Sequence, residues 1–272
     1  LNQITVDRII VYPIKSLAGV SVESAEVEPR GLRFDRRWML VDSNGRFISQ
    51  REFPALALTH VTIEPDGILV QAPGMPDLLV PYHLHSSDQV AVSVWNDNTS
   101  AYVVDTVSNS WFTDYLDTGV RLVVMSEEIR RPDKSHYLPN DSLSFADGYP
   151  LMLVGQNSLN DLNSRLETPV KMNRFRPNIV TIGNNAYSED RWTEINIGAE
   201  NLRVVSSCSR CVMTTIHQST GVRGTEPLKT LATFRLVDQK IFFGRNLIPV
   251  STGWIHIGDE VEVLKAAEGG DI

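Results

Sequence analysis

The sequence predicts a β-rich α+β chain, mainly strand with a few helices, of the barrel or sandwich kind. Two observations carry that expectation. Short runs rich in Val, Ile, Phe and Tyr recur along the chain, and several alternate apolar with polar residues, the period of a half-buried strand. Turn signals punctuate them often: Pro29-Arg30-Gly31, Ser43-Asn44-Gly45 and Asp66-Gly67. Strands this short and this frequently broken belong to barrels and sandwiches.

Taken in order, residues 4–12 are rich in β-formers and Pro13 ends them. A short turn follows, carrying Lys15 and Ser16. Residues 20–27 alternate through Val20, Val22, Ala25 and Val27 and read as one strand. Residues 35–41 enter a strand with Asp35, Arg36 and Arg37 leading, and Phe47 and Ile48 return after the Asn-Gly turn. Residues 56–63, 68–71, 78–82, 90–95 and 101–104 continue the rhythm. The first helix is expected over 107–116, where Val107, Trp111, Phe112 and Leu116 lie near helical spacing, with Gly119 beyond it as a C-cap. Residues 121–125 form a buried strand.

From 126 to 149 periodicity disappears. A loop of that length inside a compact domain is commonly functional or disordered. It is the expected domain junction, dividing the chain into 1–125, 126–265 and a tail or linker at 266–272. It is also a candidate wall of a substrate site, through Arg130, Arg131 and His136. Beyond it come a strand at 151–154, a helix at 157–166 stopped by Pro169, and Arg174 and Arg176 leading into a strand at Ile179. Strands at 195–197, 202–205, 241–243, 254–257 and 261–264 and a helical turn near Leu228 complete the chain.

Composition bounds the function. Net charge is −8, which argues against a general binder of nucleic acid or anionic membrane. No run of about 18 apolar residues exists to span a bilayer. The first residues lack the basic-then-apolar pattern of a signal peptide. Two cysteines among 272 residues fit a reducing compartment, and cytoplasm is the expected location. Walker, Gly-x-Gly-x-x-Gly, Gly-x-Ser-x-Gly and His-Glu-x-x-His motifs are all missing.

Both cysteines lie in one stretch, Ser207-Cys208-Ser209-Arg210-Cys211-Val212-Met213-Thr214-Thr215, whose β-branched flanks favour strand. Four readings compete there. A redox disulfide wants the pair at a helix start, and a strand is expected to follow Cys211. Zinc wants about four ligands, and His217 is the only other nearby donor. Two buried thiols serving as small apolar residues is the plain reading. The fourth is a single thiolate on a soft metal whose remaining ligands arrive on an organic cofactor. An anionic cofactor would also need cations. Lys15, Arg36, Arg51, Arg176 and Arg210 all sit at turns or strand edges, although each taken singly reads as a surface charge. His83-x-His85 places two imidazoles on one strand face with no third ligand apparent.

An ordered series of motifs adds to this: Tyr12-Pro13-Ile14-Lys15-Ser16, Asp35-Arg36, Ser144-Phe145-Ala146-Asp147-Gly148-Tyr149-Pro150, Phe175-Arg176-Pro177-Asn178, Cys208-Ser209-Arg210-Cys211 and Phe243-Gly244-Arg245-Asn246. With them, from about residue 9 to 264, the chain resembles the MOSC family, near YcbX-type proteins and the mitochondrial amidoxime reducing component. The resemblance implies an N-terminal β-barrel followed by a MOSC β-barrel, with a molybdenum cofactor between them. It implies Cys211 as metal ligand and catalytic residue, and Lys15, Ser16, Arg36, Arg176, Asn178, Ser209 and Arg210 as cofactor contacts. A contacting Thr-Ser pair of the relatives falls on Gly148-Tyr149, and a late contacting tyrosine falls on Asn246. The implied activity is reduction of hydroxylamines, amidoximes and N-hydroxylated bases. The implied electron donor is a ferredoxin-like domain with a two-iron two-sulfur cluster, or a separate flavoprotein reductase. The family also carries associations with pyridoxal phosphate and with non-enzymatic sulfur or cofactor carriage through a cysteine persulfide.

Overall fold

The computed structural model describes residues 3–82, 87–129, 131 and 143–267. His83 and His85, and Arg130 and His136 of the expected substrate wall, lie outside them. The chain is mostly strand, as its alternation predicts.

A nine-stranded sheet is the frame. Its path runs Val261–Ala266, Trp192–Ile197, Glu200–Ser209, Lys240–Pro249, Leu151–Gly155, Ile179–Ile182, Thr5–Val11 and Val20–Val22, with Leu236–Val237 paired to Lys240–Pro249. Only Leu151–Gly155 and Ile179–Ile182 run parallel, and the helix Gln156–Ser164 makes the crossover that such a pair needs. The first strand of the chain lies between Ile179–Ile182 and Val20–Val22, with Ile9 opposite both Ile179 and Val22, so it joins the early residues to strands that come after residue 150. Val6, Ile9 and Val11 share a core with Leu153, Ile179, Ile195 and Leu247.

The intervening residues build a four-stranded sheet, ordered Trp38–Val41, Arg121–Val124, Asp97–Val103 and Gln89–Val94, and a three-stranded one, His60–Glu64, Gly67–Gln71 and Leu78–Pro81. The helix Thr106–Leu116 packs Trp111, Phe112 and Leu116 into a core with Leu40, Leu122 and Val80. Another small sheet joins Gly253–His256 to Ser24–Glu28 and Gly31–Leu32.

Several elements differ from expectation, each for a local reason. Residues 20–27 are two strands, because Val20–Val22 pairs with Thr5–Val11 while Ser24–Glu28 pairs with Gly253–His256. Alternation cannot reveal a strand that changes sheet. Residues 54–58 form a 3-10 turn opened by Pro54, and the strand starts at His60. The cap of the helix Thr106–Leu116 is Asp117, left-handed at φ 48°, rather than Gly119.

Lys240–Pro249 is much longer than the three residues expected, since Gly244, Arg245 and Asn246 interrupt its apolar pattern. Gly244 has φ +83°, and a Cβ there would lie 2.6 Å from Met152 Cε and 2.9 Å from the Leu153 carbonyl oxygen. Left-handed strain and overpacking together should make Gly244→Ala cost about 2–5 kcal/mol of stability, read from the urea midpoint at unchanged slope.

Candidate functional site

Loops from both halves of the chain converge on a cavity of about 590 Å³. Lys15, Ser16, Arg36, Arg176, Asn178, Ser209, Arg210 and Cys211 all line it, and so do Gly148, Tyr149 and Asn246. Lys15 and Ser16 come from the turn that follows Thr5–Val11, and Arg36 from the loop before Trp38–Val41. Arg176 and Asn178 precede Ile179–Ile182. Among the described residues seven cations line the cavity (Lys15, Arg36, Arg51, Arg174, Arg176, Arg210 and Lys240) against one lining carboxylate, Asp147. On a chain of net charge −8 this is a local reversal of sign, suited to an anion.

Four successive residues, Ser206, Ser207, Cys208 and Ser209, reach the wall, whereas a regular strand would turn every second one away. The register of Glu200–Ser209 against Lys240–Pro249 shifts twice, between Val204 and Ser206 and between Ser207 and Ser209. Irregularities of this kind re-aim side chains beside sites. Ser16, Arg36 and Arg176 hold left-handed backbones at φ 71°, 49° and 55°. Non-glycine residues rarely sit there unless surrounding contacts hold them.

Those contacts are visible for the arginines. Arg36 Nη1 donates to Asn178 Oδ1 at 2.9 Å and to Asp35 Oδ2, and Nη2 donates to the Arg176 carbonyl at 3.3 Å. Arg176 Nη1 donates to the Leu17 carbonyl at 2.7 Å. Both guanidinium carbons lie over the Tyr12 ring, 4.4 and 4.2 Å from its centroid. Burial, aided by the nearby Arg36 charge, pulls the Arg176 pKa down to about 10, against Tyr12 and Asp35, which raise it. Asn178 Oδ1 also accepts from Met152 N, and Nδ2 donates to the Ile10 carbonyl and to Asp35 Oδ1. Every bonding position of that amide is taken, so Asn178 orients Arg36 and offers a ligand no spare donor.

The two cysteines are unlike. Cys208 is partly buried beside the apolar cluster of Phe175 and Phe243, and its Sγ accepts from Arg210 Nη1 at 2.9 Å. Cys211 is exposed, with Arg51 Nη2 3.1 Å from its Sγ. A 3-10 turn, Val212–Thr215, follows Cys211 in place of the expected strand. Thr214 and Thr215 hydroxyls donate back to the Cys211 and Val212 carbonyls at 3.0 and 2.7 Å, which offsets their β preference. Arg210 also donates to the Phe175 carbonyl at 2.7 Å, while its Nε has no partner among the described residues.

Sequence reasoning missed the role of Asp147, which lies 3.9 Å from Arg51 beside Cys211. Lys15 Nζ donates to the Phe145 carbonyl at 2.7 Å and to Asp147. Burial lowers the Lys15 pKa against that carboxylate. Desolvation by the cavity walls pushes the Asp147 carboxyl up, although its side chain keeps 54% exposure, but the charge and hydrogen bond of Lys15 and the charge of Arg51 outweigh this and hold it well below the usual range. Arg51 also lies over Trp95, 4.6 Å from the ring centroid. Asp147 and Lys15 each sit inside a quoted motif; their pairing across 132 residues left no signal.

Arg131 corrects the substrate-wall expectation. Only 1% exposed, it donates to the carbonyls of Ser144 and Ala146 at 3.0 and 2.5 Å and to Asp97 at 3.0 Å. It supports the segment that carries Asp147 instead of facing a substrate. Arg131→Ala should therefore cost about 3–5 kcal/mol in chemical denaturation, as loss of a buried ion-pair partner does. An unchanged midpoint would refute this.

Family comparison decides the relationship. A family model described as the MOSC N-terminal beta barrel domain matches residues 3–119, and one described as the MOSC domain matches residues 140–262. The chain belongs to the MOSC family. Among curated MOSC relatives, mitochondrial amidoxime reducing component 2 of Bos taurus is 37% identical over 245 residues, 86% of this chain and 73% of that protein. Mitochondrial amidoxime-reducing component 1 of Homo sapiens is 34% identical over 279 residues, covering 96% and 83%. These mitochondrial relatives overturn the cytoplasmic expectation. A low cysteine count reports a reducing environment and does not say which compartment provides it. Among the described residues no helix is long and apolar enough to cross a membrane.

Proposed function

We propose that this chain reduces N-hydroxylated compounds, namely hydroxylamines, amidoximes and N-hydroxylated bases, with a molybdenum cofactor held in the cation-lined cavity. The observation that carries the reading is Cys211, an exposed soft donor on the wall of a cavity lined by seven cations. The names of the relatives support amidoximes as substrates, and the wider N-hydroxylated class is our extension of them.

The residues present fit such a group. Among the described residues no set of three His, Cys, Asp or Glu could hold a metal together, so a metal on Cys211 would bring its other ligands with it. Cys211 would be the protein ligand. Lys15, Ser16, Arg36, Arg176, Ser209 and Arg210 would hold the anionic pterin and its phosphate tail, with Asn178 orienting Arg36. Guanidinium forks match phosphate oxygens in pairs. When bound, the cofactor supplies the two-electron chemistry that cleaves the N–O bond; with two protons the products are the reduced nitrogen compound and water. The chain binds, orients and sets the field. Arg51 places a positive charge 3.1 Å from Cys211 Sγ, beside the position an anionic metal centre would take. Lys15 keeps Asp147 ionised at the same wall.

A plant-type two-iron two-sulfur cluster needs four cysteines and these 272 residues hold two. We therefore assign electron delivery to a partner, either a ferredoxin-like domain or a flavoprotein reductase. The deciding experiment is elemental analysis with pterin extraction on protein made in a cofactor-replete host. Near one molybdenum per chain is expected. Protein without molybdenum, carrying instead one extra sulfur by mass, would replace this reading with sulfur carriage.

A further inference from the structure

We infer that Tyr12 is a positioning residue whose ring clamps Arg36 and Arg176 onto one oxyanion. In the reading above, on which this rests, that oxyanion is the phosphate tail of the cofactor. Tyr12 is 2% exposed, so its ring is part of the site's foundation and no ligand reaches across it. Both guanidinium groups lie within 4.4 Å of that one ring centroid. The Arg36 charge disfavours the Arg176 charge beside it, and the electron-rich ring attracts each guanidinium. Asp35 already pairs with Arg36, whereas among the described residues no carboxylate bonds to Arg176. The ring therefore holds Arg176 beside Arg36 without adding a second counter-charge.

The main chain ties Tyr12 to the same group. Its N–H donates to Asp35 Oδ1 at 2.8 Å, and its carbonyl accepts from the Arg36 N–H at 2.8 Å. The hydroxyl donates to the Pro177 carbonyl at 3.2 Å, away from both guanidinium groups. An independent observation concerns Gly19. A Cβ at Gly19 would lie 2.5 Å from Tyr12 Cε1 and 2.8 Å from Cδ1, so the missing side chain is what lets the ring occupy this place.

The test is isothermal titration of the full chain, prepared without cofactor, with inorganic phosphate as the probe. Circular dichroism checks folding in parallel. Tyr12→Phe keeps the ring and should bind within about twofold of the unaltered chain, since the hydroxyl touches only Pro177. Tyr12→Leu should bind roughly tenfold more weakly, the loss of two cation–ring contacts. Gly19→Ala removes no anion contact and should weaken binding comparably by displacing the ring. A folded Tyr12→Leu that binds phosphate as tightly as the unaltered chain overturns the clamp, as does a Tyr12→Phe as weak as Tyr12→Leu. If Tyr12→Leu does not fold, Gly19→Ala decides by the same criterion. Absence of phosphate binding in the unaltered chain also overturns the clamp; molybdenum content tests the reductase reading separately.

Discussion

Cys211→Ser is expected to leave the protein folded while removing molybdenum and the reduction of N-hydroxylated substrates together. The fold should tolerate the change because Cys211 is exposed and Arg51 is its side-chain partner. The 3-10 turn beyond it is held through the Cys211 carbonyl, which accepts from Thr214 N and Oγ1 at 3.1 and 3.0 Å, and serine keeps that carbonyl. Stability should stay within about 0.5 kcal/mol of the parent. The site should not tolerate it, because a hydroxyl is a poor ligand for a soft metal centre. Loss of activity should exceed the roughly 10–100-fold seen when a group that merely supports a ligand is removed. Cys208→Ser is the internal control. Its Sγ faces Arg210 and the Phe175 cluster, so it should cost about 1 kcal/mol of stability and retain the metal. Equal metal loss in both variants would show that the asymmetry between the thiols is not functional.

That asymmetry marks the limit of what the sequence discloses. Cys208 and Cys211 are visible as a soft pair beside Arg210, but their exposure depends on the register shifts within Glu200–Ser209 and on the turn after it. Shifts of that kind arise from pairing with Lys240–Pro249, a strand that Gly244, Arg245 and Asn246 hide from pattern reading. Strands elsewhere were legible because alternation is a local property, as in Gln89–Val94, whereas Asp97–Val103 was seen only from Ala101 onward. The shared nine-stranded sheet was not, since nothing near Ile9 indicates that Ile179 will lie opposite it. The cations behave likewise. Lys15, Arg36, Arg176 and Arg210 could be named from motifs, but the contacts of Lys15 with Asp147, of Arg36 and Arg176 with Tyr12, and of Arg210 with the Phe175 carbonyl form across the fold. A contact between Tyr12 and Arg176 spans too much sequence for spacing to encode it.

Asp35→Ala and Asp147→Ala should separate the two kinds of support that these carboxylates give. Asp35 is fully buried; it accepts from Tyr12 N at 2.8 Å, Asn178 Nδ2 at 3.0 Å and Arg36 Nη1. Removing it leaves a guanidinium next to Arg176 with no buried counter-charge, and guanidinium groups stay charged near neutral pH. The expected cost is about 3–5 kcal/mol, and this deficit should be nearly flat between about pH 6 and 9. Asp147 differs because its partner is an amine. Burial already lowers the Lys15 pKa, and without Asp147 nothing beside it favours the charged form as strongly. Lys15 can then release its proton in the folded state, so the variant should cost less than Asp35→Ala. The sign of its pH dependence follows. Between the lowered folded pKa and the ordinary lysine value, the unfolded chain binds a proton that the folded chain does not, so stability rises with pH across that window. Urea unfolding of both variants at a series of pH values reads the difference directly. A flat profile for Asp147→Ala, or a rising one for Asp35→Ala, would mean that burial of Lys15 and Arg36 is not what these carboxylates compensate.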